Sequence, residues 1–555
     1  MTLSNRTFAN VRVWLHAFLP FACCVTPGRP AMAQSETIEF VNVVEQSGIC
    51  FEHSHGGAGR GFIVEGMSAG IATLDYNRDG LTDIYFLNGA PLEGTEKPES
   101  SPTNRLYENL GGMKFRDVTQ QAGVGDIGYS LGVGIADYDG NGYEDIYVNN
   151  FGPNVFYRNR GDNTFEEASV ATGTVNGNKV GAGVGFADFD GDGDLDLYVA
   201  NYVDFSYENH VPITIKGMHF QAGPQYYKSV PDTLFRNEGN GQFSDISEAS
   251  GISALANAGM GLVCFDADSD GDCDVYVCND GEANHLWLNN GQAHFQEDAL
   301  LSGVGFSADG KANASMGVDV GDYDSDGLLD LFVTAYQAEM PQLYRNMDGL
   351  FSDVTSQASI PRLLYPHVHW GTAFVDIDND SDSDLFVACG HFDRIEQIDD
   401  RTSQKTANVL LQNTKGIFQD ISQKSGPALA ELESTRAIAF EDFDNDGDLD
   451  AVLVNSGTTP SLLRNDSKNR NRWIQIDLKQ EGANGGAIGA VVRVTGSELL
   501  RPVVSGRGYQ SHFGSRLHFG LGEFQGETIE IEVTWPDGAV TKHELPIDKI
   551  STVPR

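Results

Sequence analysis

Seven nine-residue stretches of this chain place oxygen-bearing side chains at fixed alternate positions, reading Asp-x-Asp/Asn-x-Asp/Asn-Gly-x-x-Asp. Positions 1, 3, 5 and 9 are Asp75, Asn77, Asp79 and Asp83 in the first, and Asp137, Asp139, Asn141 and Asp145 in the second. The third and fourth carry Asp188, Asp190, Asp192 and Asp196, then Asp266, Asp268, Asp270 and Asp274. The last three carry Asp322, Asp324, Asp326 and Asp330; Asp376, Asp378, Asp380 and Asp384; and Asp442, Asp444, Asp446 and Asp450. Side-chain oxygens at this spacing, with the carbonyl of position 7 (Leu81, Tyr143, Asp194, Asp272, Leu328, Asp382 and Asp448), surround one point. That suits a hard cation taking six to eight oxygen ligands, so the expected cofactor is Ca2+, up to seven structural ions. Glycine at position 6 allows the tight turn, and Ser381 in the sixth loop makes that turn the most strained. An EF-hand is excluded because position 12 falls in a β-type run (Phe86, Val199, Val277) where a helix would begin.

Elements of one kind flank each loop. A glycine stands five residues upstream in six copies (Gly70, Gly132, Gly183, Gly261, Gly317, Gly371), with Ala437 in the seventh. Downstream come a β-rich run such as IYFLN or LYVAN, then a second strand and a hairpin, as in NRLYENLGGMKFRDV and DTLFRNEGNGQFSDI. Such repeats give four-stranded sheets at the period of propeller blades, so the expected fold is an all-β, seven-bladed propeller with its calcium loops on one face. The seventh repeat lacks a final strand, and IEFVNVVEQSGI near the start of the chain resembles the missing piece (compare FRDVTQQAGV). The N-terminal segment is expected to complete the last blade and close the ring.

Residues 1–33 read as a secretory leader: Arg6 and Arg12, an apolar run from Val13 to Val25, and Ala31-Met32-Ala33 before a cleavage point near Ala33. The apolar run is too short to span a bilayer. The expected product is secreted, periplasmic or cell-surface. With 79 acidic against 36 basic residues the net charge is −43, which argues against nucleic acid or an anionic membrane as the partner. Cys50, Cys264, Cys273, Cys278 and Cys389 are odd in number and lack metal-ligand spacing; Cys264 and Cys278 flank the fourth loop and could pair, but buried free thiols are the preferred reading.

The long connectors follow second strands and belong to the face away from the acidic loops. Residues 201–231 carry Tyr202, Phe205, Tyr207, Phe220, Tyr226 and Tyr227, and 389–407 carry His391; these are the candidate ligand-contacting residues. From about residue 471 the repeat gives way to short strands between Gly-rich turns (WIQIDL, AVVRV, RPVV, LHFGLG, IEIEVTW), an all-β C-terminal domain over 471–555 after a propeller over 34–470. No nucleophile elbow, phosphate loop or dinucleotide fingerprint stands out.

The loops with glycine five residues upstream resemble the FG-GAP/VCBS repeats of integrin α-subunit propellers. The tail NGGAIGAVVRV…RPVVSGRGYQSHFGSRLHFGLG…VTWPDG resembles the ASPIC/UnbV domain. Together they are similar to the secreted cartilage acidic protein family and its bacterial relatives. The resemblance implies a seven-bladed calcium-binding propeller of integrin-α type followed by a small β-domain, and no settled activity. Two functions are expected in competition: an extracellular recognition module for protein or glycan, and a polysaccharide lyase or hydrolase working in the central opening.

Overall fold

The computed structural model describes residues 37–57, 59–95 and 101–555, so the leader expected over 1–33 lies outside the described residues. Each repeat folds as four antiparallel strands in sequence order. In the fourth, Gly259–Phe265 pairs with Asp274–Asn279, that strand with His285–Asn289, and that with Phe295–Glu297. The first two of these strands are buried along their whole length, which is why their sequences run apolar without alternation. The same pairing recurs over 71–117, 129–167, 179–245, 318–353 and 369–420. In the third repeat, Lys179 and Val180 also pair with Gly152 and Phe151 of the second, which fuses the two sheets at one edge.

The upstream glycines explain how these sheets stand side by side. A Cβ on Gly70 would lie 2.7 Å from the Leu131 carbonyl oxygen, one on Gly261 2.6 Å from that of Met316, and one on Gly371 2.9 Å from that of Arg436. Each partner carbonyl sits one residue before the next repeat's own glycine or its Ala437 replacement. The innermost strands therefore touch backbone to backbone, a spacing that a side chain would prevent. Contacts between first strands run from repeat to repeat and return from Thr435–Glu441 to Ile71–Leu74. This cycle of small twisted sheets is a β-propeller.

The last sheet is completed from the N-terminal side. Phe40–Asn42 pairs antiparallel with Ser461–Asn465, matching Phe40 to Asn465 and Asn42 to Leu463. Phe40 is buried, and its amide donates to the Ser425 carbonyl at 2.9 Å. A helical turn follows at Val44–Ser47 and ends at Gly48 with φ +91°, just as Thr119–Ala122 ends at Gly123 with φ +81° in the first repeat. Glycine takes this left-handed C-terminal position at no steric cost.

The C-terminal region forms two sheets around Ile474, Ile476, Val492, Phe519, Ile531 and Trp535. Across the turn Pro536-Asp537-Gly538, Val540–Pro546 forms the expected closing strand against Thr528–Thr534, and one further strand, Ile550–Pro554, lies parallel to Trp473–Lys479. That last strand is short and ends in proline, which hides it from a reading by periodicity. Between the two sheets, residues 503–516 leave the domain and enter the middle of the ring. There Gly508 and Val318 exchange both backbone hydrogen bonds (2.7 and 3.0 Å). The Cys264 amide donates to the Ser505 carbonyl at 3.1 Å, and the Thr73 amide to that of His512 at 3.0 Å. The central opening expected as a channel is thus filled by the tail. All five cysteines from Cys50 onward are free thiols.

Deleting residues 37–48 should expose the outer edge of Ser461–Asn465 and uncover Leu463 and Phe443. The expected outcome is a lower unfolding midpoint and self-association on size exclusion. A monomeric product with an unchanged urea midpoint would contradict closure by this strand.

Candidate functional sites

Each acidic loop is shaped by its own first aspartate. The position-1 carboxylate accepts the position-6 amide in all seven loops, from Gly80 on Asp75 at 2.9 Å to Gly447 on Asp442 at 2.8 Å. The position-5 side chain accepts the amide of position 7, as Leu81 donates to Asp79 at 2.9 Å and Tyr143 to Asn141 at 2.8 Å. Position 6 is left-handed throughout, with φ +83° at Gly80 and +86° at Ser381, so the serine does carry the strain expected of it. Position 4 is left-handed as well (Arg78 φ +59°, Ser269 +63°, Asn445 +58°), a requirement that the varied residues there conceal.

The position-9 aspartate is buried and does a different task. Asp274 accepts the Ala267 amide at 2.9 Å on one oxygen and the Asn289 amide at 2.7 Å on the other. Asn289 closes the third strand, and its side-chain NH2 donates to the Cys273 carbonyl of its own loop and to the Phe189 carbonyl of the preceding repeat, at 3.2 and 2.9 Å. Asn109, Asn159, Asn237, Asn346, Asn413 and Asn465 repeat this, and Asn109 of the first repeat reaches Phe443 of the seventh at 2.8 Å. These asparagines were legible as a constant letter before each hairpin turn; their cross-repeat bonds were not.

The donor set fits a cation. Carboxylate oxygens from Asp137, Asp139 and Asp145 lie within 4.8 Å of one another, and so do those of Asp266, Asp268 and Asp274 and of Asp322, Asp324 and Asp330. Buried oxygens of Asp190, Asp266, Asp268, Asp324 and Asp444 have no hydrogen-bond partner in the protein. Without a cation, burial first and neighbouring carboxylates second push Asp196, Asp274 and Asp330 up to about 8, and Asp137, Asp266 and Asp322 up to about 6. Protein cations compensate locally: Arg345 pairs with Asp324 and Asp326 at 2.7 Å each, and Arg158 pairs with Asp139.

The C-terminal domain lies against this face. Gln475 donates to Asp442 at 2.8 Å, and Arg516 reaches the Gly80 carbonyl at 3.0 Å and Asn445 at 2.8 Å. Ser381 Oγ donates to the Gly520 carbonyl at 3.1 Å, and His518 meets Asn379 at 2.6 Å. The sixth loop's departure from glycine therefore gives it a hydroxyl that holds the tail. Arg507 forms a two-pronged pair with fully buried Asp319, both contacts 2.8 Å, and Tyr509 donates to the Met67 carbonyl at 3.0 Å.

On the opposite face the aromatic loop is largely a small core. Phe205 lies 5.9 Å from Phe62, 5.4 Å from Phe151 and 5.8 Å from Tyr227 (ring centroids), and buried Tyr202 donates to Asp280 at 2.6 Å. Tyr207 packs edge-on against Phe62. Burial takes Tyr202 and Phe205 out of any platform for a ligand, whereas Tyr226 stays 53% exposed. The ring nitrogens of buried His391 are taken by the Phe392 amide (2.7 Å) and Gln337 (3.1 Å), and those of His369 face two backbone carbonyls, so neither ring is free for a metal. The tip of the third-repeat insertion touches the sixth-repeat insertion through Lys216, which donates to the Gln397 carbonyl at 3.0 Å. Between them opens a cavity of about 380 Å3 lined by His55, Glu65, Phe220, His391, Phe392 and Arg436.

FG-GAP-like repeats match residues 75–148, 137–199, 266–333 and 322–387, and the ASPIC and UnbV domain matches 480–553. Cartilage acidic protein 1 of Mus musculus is 25% identical over 521 residues, covering 88% of this chain and 73% of its own length. The Homo sapiens protein of the same name is 25% identical over 523 residues, covering 88% and 71%. Among solved structures, YCF48 bound to a D1 peptide aligns with a TM-score of 0.38 at 7% identity, over 75% of this chain and 96% of that one. An Agrocybe aegerita lectin that recognises non-reducing terminal N-acetylglucosamine aligns at 0.36 with 17% identity, over 64% and 79%.

Replacing Asn289 by alanine removes its side-chain bonds to two repeats and leaves buried carbonyls unsatisfied. The expected cost is about 2–4 kcal/mol in urea unfolding, against under 0.5 kcal/mol for the exposed Asn290→Ala beside it. Equal effects would show that the asparagine is only a turn residue.

Proposed function

From a chain that carries FG-GAP-like repeats and an ASPIC and UnbV domain, and is homologous to cartilage acidic protein 1, we propose an exported calcium-binding propeller that recognises protein or glycan outside the cell. The division proposed is a leader over 1–33, a propeller over 34–470 and a tail domain over 471–555. The observation that carries the recognition reading is the unequal treatment of the two faces. The acidic-loop face is occupied by the tail, which also fills the centre of the ring, so a macromolecular partner has the other face to dock on. That face holds the cavity between the third and sixth insertions, and Tyr226 is exposed on the third insertion; concave ground with mixed aromatic and polar groups is the usual place for a ligand. An enzyme working through an open central channel is disfavoured, because the channel is occupied by residues 503–516.

Calcium in the loops has a structural task in this reading. The cation would neutralise position-1, -3 and -9 carboxylates that the fold buries, holding the first hairpin of each blade. Among the described residues no helix is long and apolar enough to cross a membrane. The net charge of −43 stands against nucleic acid as the partner.

Saturating chelator should lower the melting temperature steeply, since each site stabilises by about 1.4 kcal/mol when calcium is tenfold above its Kd. Tyr226→Ala should leave that melting curve intact and weaken ligand binding by about 1–3 kcal/mol, by analogy with aromatic stacking elsewhere. An unchanged curve after confirmed metal removal would sink the calcium assignment. Binding lost through substitutions on the tail-covered face of a folded protein, with Tyr226 neutral, would sink the assignment of faces.

A further inference from the structure

The cavity between the third and sixth insertions is lined by groups that the protein itself leaves incomplete: Arg436, Glu65 and Arg394, whose buried Nε makes no hydrogen bond. Arg436 is 1% exposed, yet among the described residues no carboxylate lies within ion-pair distance of it. Its Nε donates to the Gly66 carbonyl (3.2 Å), one terminal nitrogen to Ser434 Oγ (2.9 Å) and the Thr435 carbonyl (3.4 Å), and the other to the His391 carbonyl (3.2 Å). One of the five N–H groups is left without an acceptor. The guanidinium carbon lies 4.1 Å from the Trp370 ring centroid, and Trp370 packs edge-on against Tyr509 of the tail at 5.0 Å. Glu65 lines the same cavity, and its Oε1 is buried with no hydrogen-bond partner.

The rest of the lining narrows the ligand. Lys405 is engaged by Glu433 at 2.7 Å, and Arg394, whose Nε still lacks a hydrogen bond, is balanced in charge by Asp393 at 3.3 Å, so the charges without an ion-pair partner reduce to one guanidinium and one carboxylate, which cancel. A neutral ligand that both donates and accepts fits a free acceptor beside a free donor, and hydroxyl groups do both. Phe392 and Phe220 add apolar surface to the same walls. The volume, about 380 Å3, is at the small end of ligand pockets and excludes a folded epitope.

Resting on the recognition reading above, we propose that this cavity binds a neutral hexopyranose ring of a glycan, with Glu65 accepting from its hydroxyls and Arg436 donating to them. The tail then has a part in recognition: Tyr509, at the tip of the segment that fills the ring, supports the tryptophan on which Arg436 lies.

The test uses the full chain in calcium, titrated by calorimetry with methyl glycosides of neutral hexoses, the matching hexuronates, and free amino acids. A neutral glycoside should bind, Glu65→Gln should weaken it about tenfold or more, and the calcium-loaded melting temperature of that variant should be unchanged. The inference is overturned if hexuronates bind more tightly than hexosides, if amino acids bind and hexosides do not, or if Glu65→Gln has no effect. Retention on immobilised polysaccharide that falls with Tyr226→Ala, but is neither displaced by free glycosides nor changed by Glu65→Gln, overturns this site and leaves recognition at that face standing. Retention on no array, by protein confirmed folded, removes both.

Discussion

The buried aspartate at position 9 is the point on which the ring depends. Its two oxygens tie the start of its own loop to the end of the third strand, and so fix the distance between the first hairpin and the second. The asparagine that donates to it then spends its amide on the loop behind it and on the neighbouring repeat. One side-chain pair therefore determines both the internal register of a sheet and its seam with the next. Because the seam bond from Asn109 returns to Phe443, the seven pairs form a belt around the molecule. A carboxylate is a costly choice for so enclosed a place, and burial alone drives these groups toward protonation. Two backbone amides offset part of that cost and the proposed cation would offset the rest, so the belt and the acidic loops share the same nine-residue unit.

The centre of the ring is governed by steric closeness. Glycines at the seams bring innermost strands to backbone contact, and this narrows the middle of the ring. Residues 503–516 turn back on themselves there, with an Arg507–Ser511 bridge and left-handed Gly506, Gly508 and Gln510, and they supply hydrogen bonds to the inner strands. Asp319 shows the strength of the arrangement: a fully buried carboxylate on an inner strand is matched by both arms of Arg507. Removing either member alone would leave an unpaired buried charge, so ring and tail are expected to be hard to separate.

The sequence was most readable where function demands several groups within a few residues. Metal ligation requires oxygens at short spacing, so the acidic loops were fully visible, as was the turn strain at Ser381. The completing strand at Phe40–Asn42 was readable because it repeats a pattern found elsewhere in the chain. What stayed hidden were contacts between distant positions. Arg507 and Tyr509 stand among the glycines of the tail, but their partners Asp319 and Met67 lie 188 and 442 residues away. The aromatic insertion misled in the usual direction. A loop of that length needs its own core to stay ordered, and Phe205 with its neighbours provides it, leaving Tyr226 as the ring that still faces outward.

Placing the tail on the acidic-loop face settles a conflict built into this architecture. Loops proposed to hold a cation cannot vary freely, since position 1 shapes the turn, positions 3 and 5 would face the ion and position 9 carries the belt. Position 6 is left-handed in every loop and glycine in six of the seven, and in the sixth loop the protein places Ser381 there, whose hydroxyl holds its own tail. The connectors on the other face carry none of these duties, and the insertions at 201–231 and 389–407 have grown there until Lys216 of one touches Gln397 of the other. The proposed recognition face and the acidic loops are thus separated by the thickness of a blade, and the tail spans that thickness, with Gln475 at one end on Asp442 and Tyr509 at the other against Trp370.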